Sequence, residues 1–119
     1  MDKNFQFPVT VDQLFSEANQ LELYYALVNQ VSKDFTLANT EIDLDENMLP
    51  EQVFKTVQNK IYDLLHHNFS AYLSLLYIVD VPENLIKKLD GSNFVELSNQ
   101  ISFLILKREW QKVWFKKFY

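Results

Sequence analysis

Cysteine is absent from this 119-residue chain, glycine occurs once and histidine twice. Each scarcity removes a class of function. Without cysteine there is no disulfide, thiol nucleophile, iron–sulfur cluster or cysteine zinc site. A single glycine excludes phosphate-cradling loops, dinucleotide fingerprints and most hairpin turns. Two histidines leave little for metal or triad chemistry. Long apolar runs are also lacking. The densest, Phe69 to Val81, is interrupted by Ser70, Ser74 and Asp80, and reaches about half to two-thirds of the length a membrane-spanning helix needs. Positive charge is scarce in the body of the chain: residues 1–106 carry six lysines against 15 acids. Only residues 107–119 reverse the sign, with Lys107, Arg108, Lys112, Lys116 and Lys117 against Glu109.

What remains is an aromatic-rich, acidic chain of net charge −5, 48% hydrophobic and 15% aromatic. That is enough apolar material for one core and too short a chain for two, so residues 1–119 are expected to form a single domain. The acidic body repels phosphates and disfavours nucleic acid as a partner. The start, Met1-Asp2-Lys3-Asn4-Phe5, has neither the basic opening nor the apolar stretch of a signal peptide. A cytoplasmic location is expected, and the lack of cysteine fits a reducing compartment.

Periodicity points to an all-α bundle of about five helices. Residues 1–9 have no helical period and read as an arm. Thr10 and Gln13 are spaced as a capping box, and Val11, Leu14, Phe15, Ala18, Leu21, Tyr25 and Val28 recur on one stripe, predicting a helix from Val11 to about Ser32 or a little beyond. Residues 34–49, rich in acids, are expected to be a loop. Pro50 suits a helix start, and Val53, Val57, Ile61, Leu64 and Leu65 predict a helix over about 50–67. Asn68-Phe69-Ser70 should bend the chain into a third helix that is apolar on nearly all sides. Asp80 is expected to cap a short fourth helix, with Gly91 as its left-handed stop. Asn93 and Glu96 repeat the capping-box spacing before a last helix of about 25 residues, the longest, which should cross the core.

Several patterns carry candidate chemistry. Asp43-Leu44-Asp45-Glu46-Asn47 opens like a calcium loop, but Met48 stands where glycine is needed and Phe54 where a bidentate glutamate is needed. Asp63 with His66 and His67 has the spacing of metal ligands on one helix face, yet no second histidine motif completes a di-metal bundle; a polar helix end is the simpler reading. Ser70 and Ser74 near these histidines sit in no glycine-flanked elbow. No cofactor is implied. In the last helix Trp110, Val113, Trp114, Phe115 and Phe118 fall on one arc, with Arg108 and Lys112 opposite and Lys107 at the apolar side. Such a basic aromatic helix suits a core element, a protein-interaction face or a membrane surface.

Leu76-Tyr77-Ile78-Val79-Asp80-Val81-Pro82-Glu83, followed some 20 residues later by Leu106-Lys107-Arg108-Glu109-Trp110-Gln111-Lys112-Val113, resembles small uncharacterised all-α bacterial proteins of about this length. The resemblance implies a helical fold and transfers no activity. With no catalytic constellation, an enzyme is the less favoured class. The expectation is a noncatalytic helical interaction module with a protein partner or a second copy of itself, through Trp110, Trp114, Phe115, Phe118, Lys107, Arg108 and Lys112. A metal-binding or enzymatic bundle using Asp63, His66 and His67, and peripheral membrane association through the tail, are the alternatives.

Overall fold

The structure is a computed structural model that describes residues 4–119. Six helices follow in order: α1 (Val11–Gln20), α2 (Tyr24–Leu37), α3 (Pro50–His67), α4 (Phe69–Val79), α5 (Glu83–Lys87) and α6 (Phe94–Phe118). No strand occurs among the described residues, so the all-α expectation holds. The radius of gyration is 13.8 Å, close to the roughly 13.5 Å of a folded chain of this length. No helix is long and apolar enough to cross a membrane among the described residues.

Four of the six helix starts, those of α1, α3, α4 and α6, follow signals in the sequence. Thr10 Oγ1 accepts the Gln13 N–H at 3.1 Å, while Gln13 Oε1 accepts the Val9 N–H at 2.7 Å, one residue before the reciprocal donor expected. Pro50 opens α3, and Asn93 Oδ1 accepts the Glu96 N–H at 3.1 Å to open α6. Asn68 ends α3 and also starts α4, its side chain accepting the Ala71 N–H at 3.1 Å. That double duty makes the expected bend.

Helix ends are where the structure departs from expectation. The first predicted helix is two. At its break Glu22 takes the left-handed conformation, with φ 59°. Its N–H bonds to the Asn19 carbonyl at 3.1 Å and the next N–H, of Leu23, reaches back to Ala18 at 2.7 Å, the double closure of a Schellman motif. Asn39, at φ 58°, closes α2 in the same way, with Asn39 N–H on Thr36 and Thr40 N–H on Phe35. Helix α2 therefore runs five residues past Ser32 and leaves only 38–49 as loop. Asp80, at φ 71°, is the left-handed end of α4 rather than the cap of α5. The one glycine, Gly91, does not adopt positive φ, so its expected role as a left-handed stop is not taken up. A chain this poor in glycine ends three helices with residues that carry a Cβ.

Helix α6 is the central rod and packs against α1, α2, α3 and α4. Its buried residues are Ser98, Ile101, Ser102, Ile105, Leu106, Glu109, Trp110, Val113 and Trp114. They form two rows of exact four-residue steps. Each such step advances about 40° around a helix, so the buried face turns by about 160° between Ser98 and Trp114. Leu14, Leu27, Val31, Phe35, Val57, Ile61 and Leu75 meet this winding face and are fully buried. The N-terminal arm caps its far end, with Phe5 against Trp114 and Phe115 at ring separations of 5.3 and 5.6 Å.

The left-handed caps make a direct prediction. Glu22→Gly should raise stability by about 0.5–1 kcal/mol, because relieved strain of about 1–2 kcal/mol exceeds the added chain entropy of about 0.5–1 kcal/mol. Gly91→Ala should stabilise by about 0.4–1 kcal/mol, since a Cβ there meets only Leu97 Cδ2, at 3.9 Å. Thermal melts of the two variants decide both signs, and a lower midpoint for Glu22→Gly would refute the strain argument.

Candidate functional site

Two acids occupy core positions. Asp34 follows Leu27, Val28 and Val31 on the inward stripe of α2. Glu109 sits between Ile105, Leu106 and Trp110 on the inward rows of α6 and is 0% exposed. Lys112, one turn after Glu109, turns inward to meet them. Its Nζ donates to Asp34 Oδ2 at 2.7 Å and lies 3.3 Å from Glu109 Oε1 and 3.4 Å from the Ile78 carbonyl. Gln30 Nε2 donates to Asp34 Oδ1 at 3.2 Å. The cluster therefore ties α2, α4 and α6 together.

Two carboxyl groups and one ammonium cannot all be charged comfortably away from water. Burial first, and the neighbouring Asp34 second, push Glu109 up to about 9, with Lys112 only partly opposing them. Burial would also raise Asp34, but hydrogen bonds from Glu109, Lys112 and Gln30 outweigh it and hold Asp34 below the ordinary value. At neutral pH Glu109 carries the proton and donates it toward an ionised Asp34. Without that proton, neither Glu109 oxygen has a formed hydrogen bond. The arrangement holds one net ion pair, Asp34 with Lys112, and locks three helices in register. Asp34 is almost fully enclosed and Glu109 wholly so, which leaves the acids no open face toward a substrate.

The residues singled out from the sequence fall elsewhere. Asp63, His66 and His67 do not converge. His67 Nε2 stands 3.9 Å from Asp63 Oδ1 with both side chains largely in solvent. His66 bonds through Nδ1 to the Tyr62 carbonyl at 2.9 Å and rests between the rings of Tyr62 and Phe94. No group of three histidines or acids able to hold a metal occurs among the described residues. In the tail, Trp110, Val113 and Trp114 are core residues, Phe118 is half-buried and Phe115 is exposed. Lys107 and Arg108 are half-buried, and Lys112, expected on the solvent side, is an inward partner of Asp34. The expected aromatic face is thus largely consumed by packing.

An open apolar surface lies on α4 instead. Its 11 residues, Phe69 to Val79, include no charged side chain. Tyr72, Leu75 and Val79 face the core, while Phe69, Leu73 and Tyr77 are 55%, 51% and 83% exposed. Leu37, from the end of α2, is also exposed and shares a shallow hollow with Leu73 and Tyr77. On the other flank a groove of about 600 Å³ runs between α4 and α5, with Leu76, Ile86, Leu89 and Leu97 in its walls. Burial pushes the Tyr72 hydroxyl, at the groove floor, up to about 12, so it remains neutral there. Nothing in the spacing marked α4 as exposed, because a helix apolar on all sides reads as central.

Comparison with protein-family models, with curated proteins and with solved structures finds no match for this chain.

The buried acids predict a pH dependence. Glu109 has an ordinary value of 4.5 and a folded value of about 9, so the folded state binds the extra proton between them. Its contribution is fully present below about 4.5 and is lost as pH rises through about 9. Glu109→Gln keeps the shape and a donor toward Asp34 without that loss. It should stabilise the fold by several kcal/mol, on the order of 5, at pH 8 and little at pH 4. Urea unfolding across this range would expose the error if the two proteins showed the same slope.

Proposed function

We propose that this protein is a noncatalytic helical interaction module that self-associates through the exposed face of α4. The observation that carries the reading is that uncharged face, with Phe69, Leu73 and Tyr77 in solvent beside Leu37. Contiguous exposed apolar side chains mark contact surfaces. The chain carries a net charge of −5, so two copies repel over most of their surfaces. A helix without charge is the place where they approach at no electrostatic cost. In a two-fold pairing the same patch serves both partners, and Ser70 and Ser74, small and exposed on the same helix, let the two helices come close.

Sedimentation velocity over a rising concentration series should show a mass moving from the 14.2 kDa monomer toward a dimer. Leu73→Lys places a charge opposite its own copy across the two-fold and should hold the protein at the monomer. Its melting temperature should barely change, since Leu73 is half in solvent. A wild type that stays monomeric to millimolar concentration discards the self-association reading.

A further inference from the structure

A second surface feature has different chemistry. Where the arm crosses the α4–α5 connection and the middle of α6, the fold leaves a cavity of about 470 Å³. This lies within the roughly 300–1,000 Å³ range of small-molecule sites. Its walls are apolar, with Phe7 from the arm, Pro82 and Leu85 from around α5, and Leu104 from α6. Its charged groups are Lys107, Arg108 and Asp80, a local balance of +1 on a chain of net −5.

The two cations are not equivalent. Arg108 is engaged through all three of its nitrogens: Nε donates to the Asp80 carbonyl at 3.1 Å, Nη2 to Asp80 Oδ2 at 3.2 Å and Nη1 to Gln111 Oε1 at 2.9 Å. It cancels Asp80 and fixes the end of α4, where a cation is favoured by the helix dipole. Lys107 has no carboxylate partner among the described residues. Its ammonium stands 4.8 Å from the centre of the Phe103 ring and 5.9 Å from that of Phe7, and the side chain is half-buried. Ring faces compensate a cation only in part, so an incoming anion gains more here than at an open surface lysine.

We propose that this cavity binds a small amphipathic monocarboxylate, with its apolar body between Leu85 and Leu104 and its carboxylate on Lys107. A neutral ligand leaves the ammonium unanswered, a cation is repelled by it, and a dianion exceeds the single positive charge that the lining offers. The site is separate from the α4 face and does not depend on self-association.

Isothermal titration calorimetry of the full chain with sodium octanoate tests this, using octyltrimethylammonium as the probe of equal chain length and opposite charge. One octanoate should bind per chain, and the cation should not compete. Lys107→Met keeps the apolar stem and should weaken octanoate binding about tenfold or more, while Lys107→Arg should retain it. Leu85→Trp fills the apolar end from a short helix that buries no residue and should also weaken binding, with circular dichroism confirming that each variant folds. Absence of saturable octanoate binding, equal binding of the ammonium probe, or an unchanged affinity in a folded Lys107→Met protein would each overturn the proposal.

Discussion

The structure depends on a buried stripe that winds around α6. A helix whose inward residues recur at steps of four cannot present one flat face to one neighbour. It must be wrapped. Four helices share the work: α1, α2, α3 and α4 all pack on it, with the end of α4 meeting Arg108 and Lys112, Asp34 of α2 meeting Lys112, and the arm reaching Trp114. The same winding brings Glu109 inward. Position 109 continues the row of Ile101 and Ile105, and a carboxylic acid placed there must find company in the core.

That company explains the two buried acids as a set. An isolated ionised carboxylate at a fully enclosed position would cost several kcal/mol or more. A protonated Glu109 beside an ionised Asp34, with Lys112 on Asp34, reduces the charge to one pair. Such a cluster adds little net stability compared with apolar residues of the same shape, and a break in it is costly. Its effect is to fix which turn of α2 faces which turn of α6, something that interchangeable leucines and valines leave loosely specified. The interior chemistry is positional.

Much of the fold was legible because helix starts are written in side chains. Thr10, Pro50, Asn68 and Asn93 each act where a local polar or steric rule places them. Helix ends were less legible for a specific reason. The usual mark of a left-handed end is glycine, and this chain uses Glu22, Asn39 and Asp80 instead, so the break at 21–23 left no signal and one long helix was expected. The acid cluster did leave a trace: Asp34 and Glu109 both sit in register with core positions, and such acids need partners. The aromatic tail misled because tryptophans at helical spacing look alike whether a groove, a membrane or the chain's own arm covers them. Here the core and Phe5 cover them.

The surface candidates follow from what the core has already used. Arg108 is held by Asp80 and Gln111, Lys112 by Asp34, and Trp110 and Trp114 by packing. The tail's apparent binding equipment is therefore mostly spent on folding. Among the described residues Lys107 is a half-buried cation with ring faces alone, and α4 is an apolar helix left half-covered, since a short α5 that buries no residue cannot screen it. A five-residue helix spans only about 7.5 Å, while the exposed side of α4 from Phe69 to Tyr77 runs about 12 Å. That mismatch keeps Leu73 and Tyr77 in solvent, where only another surface can cover them.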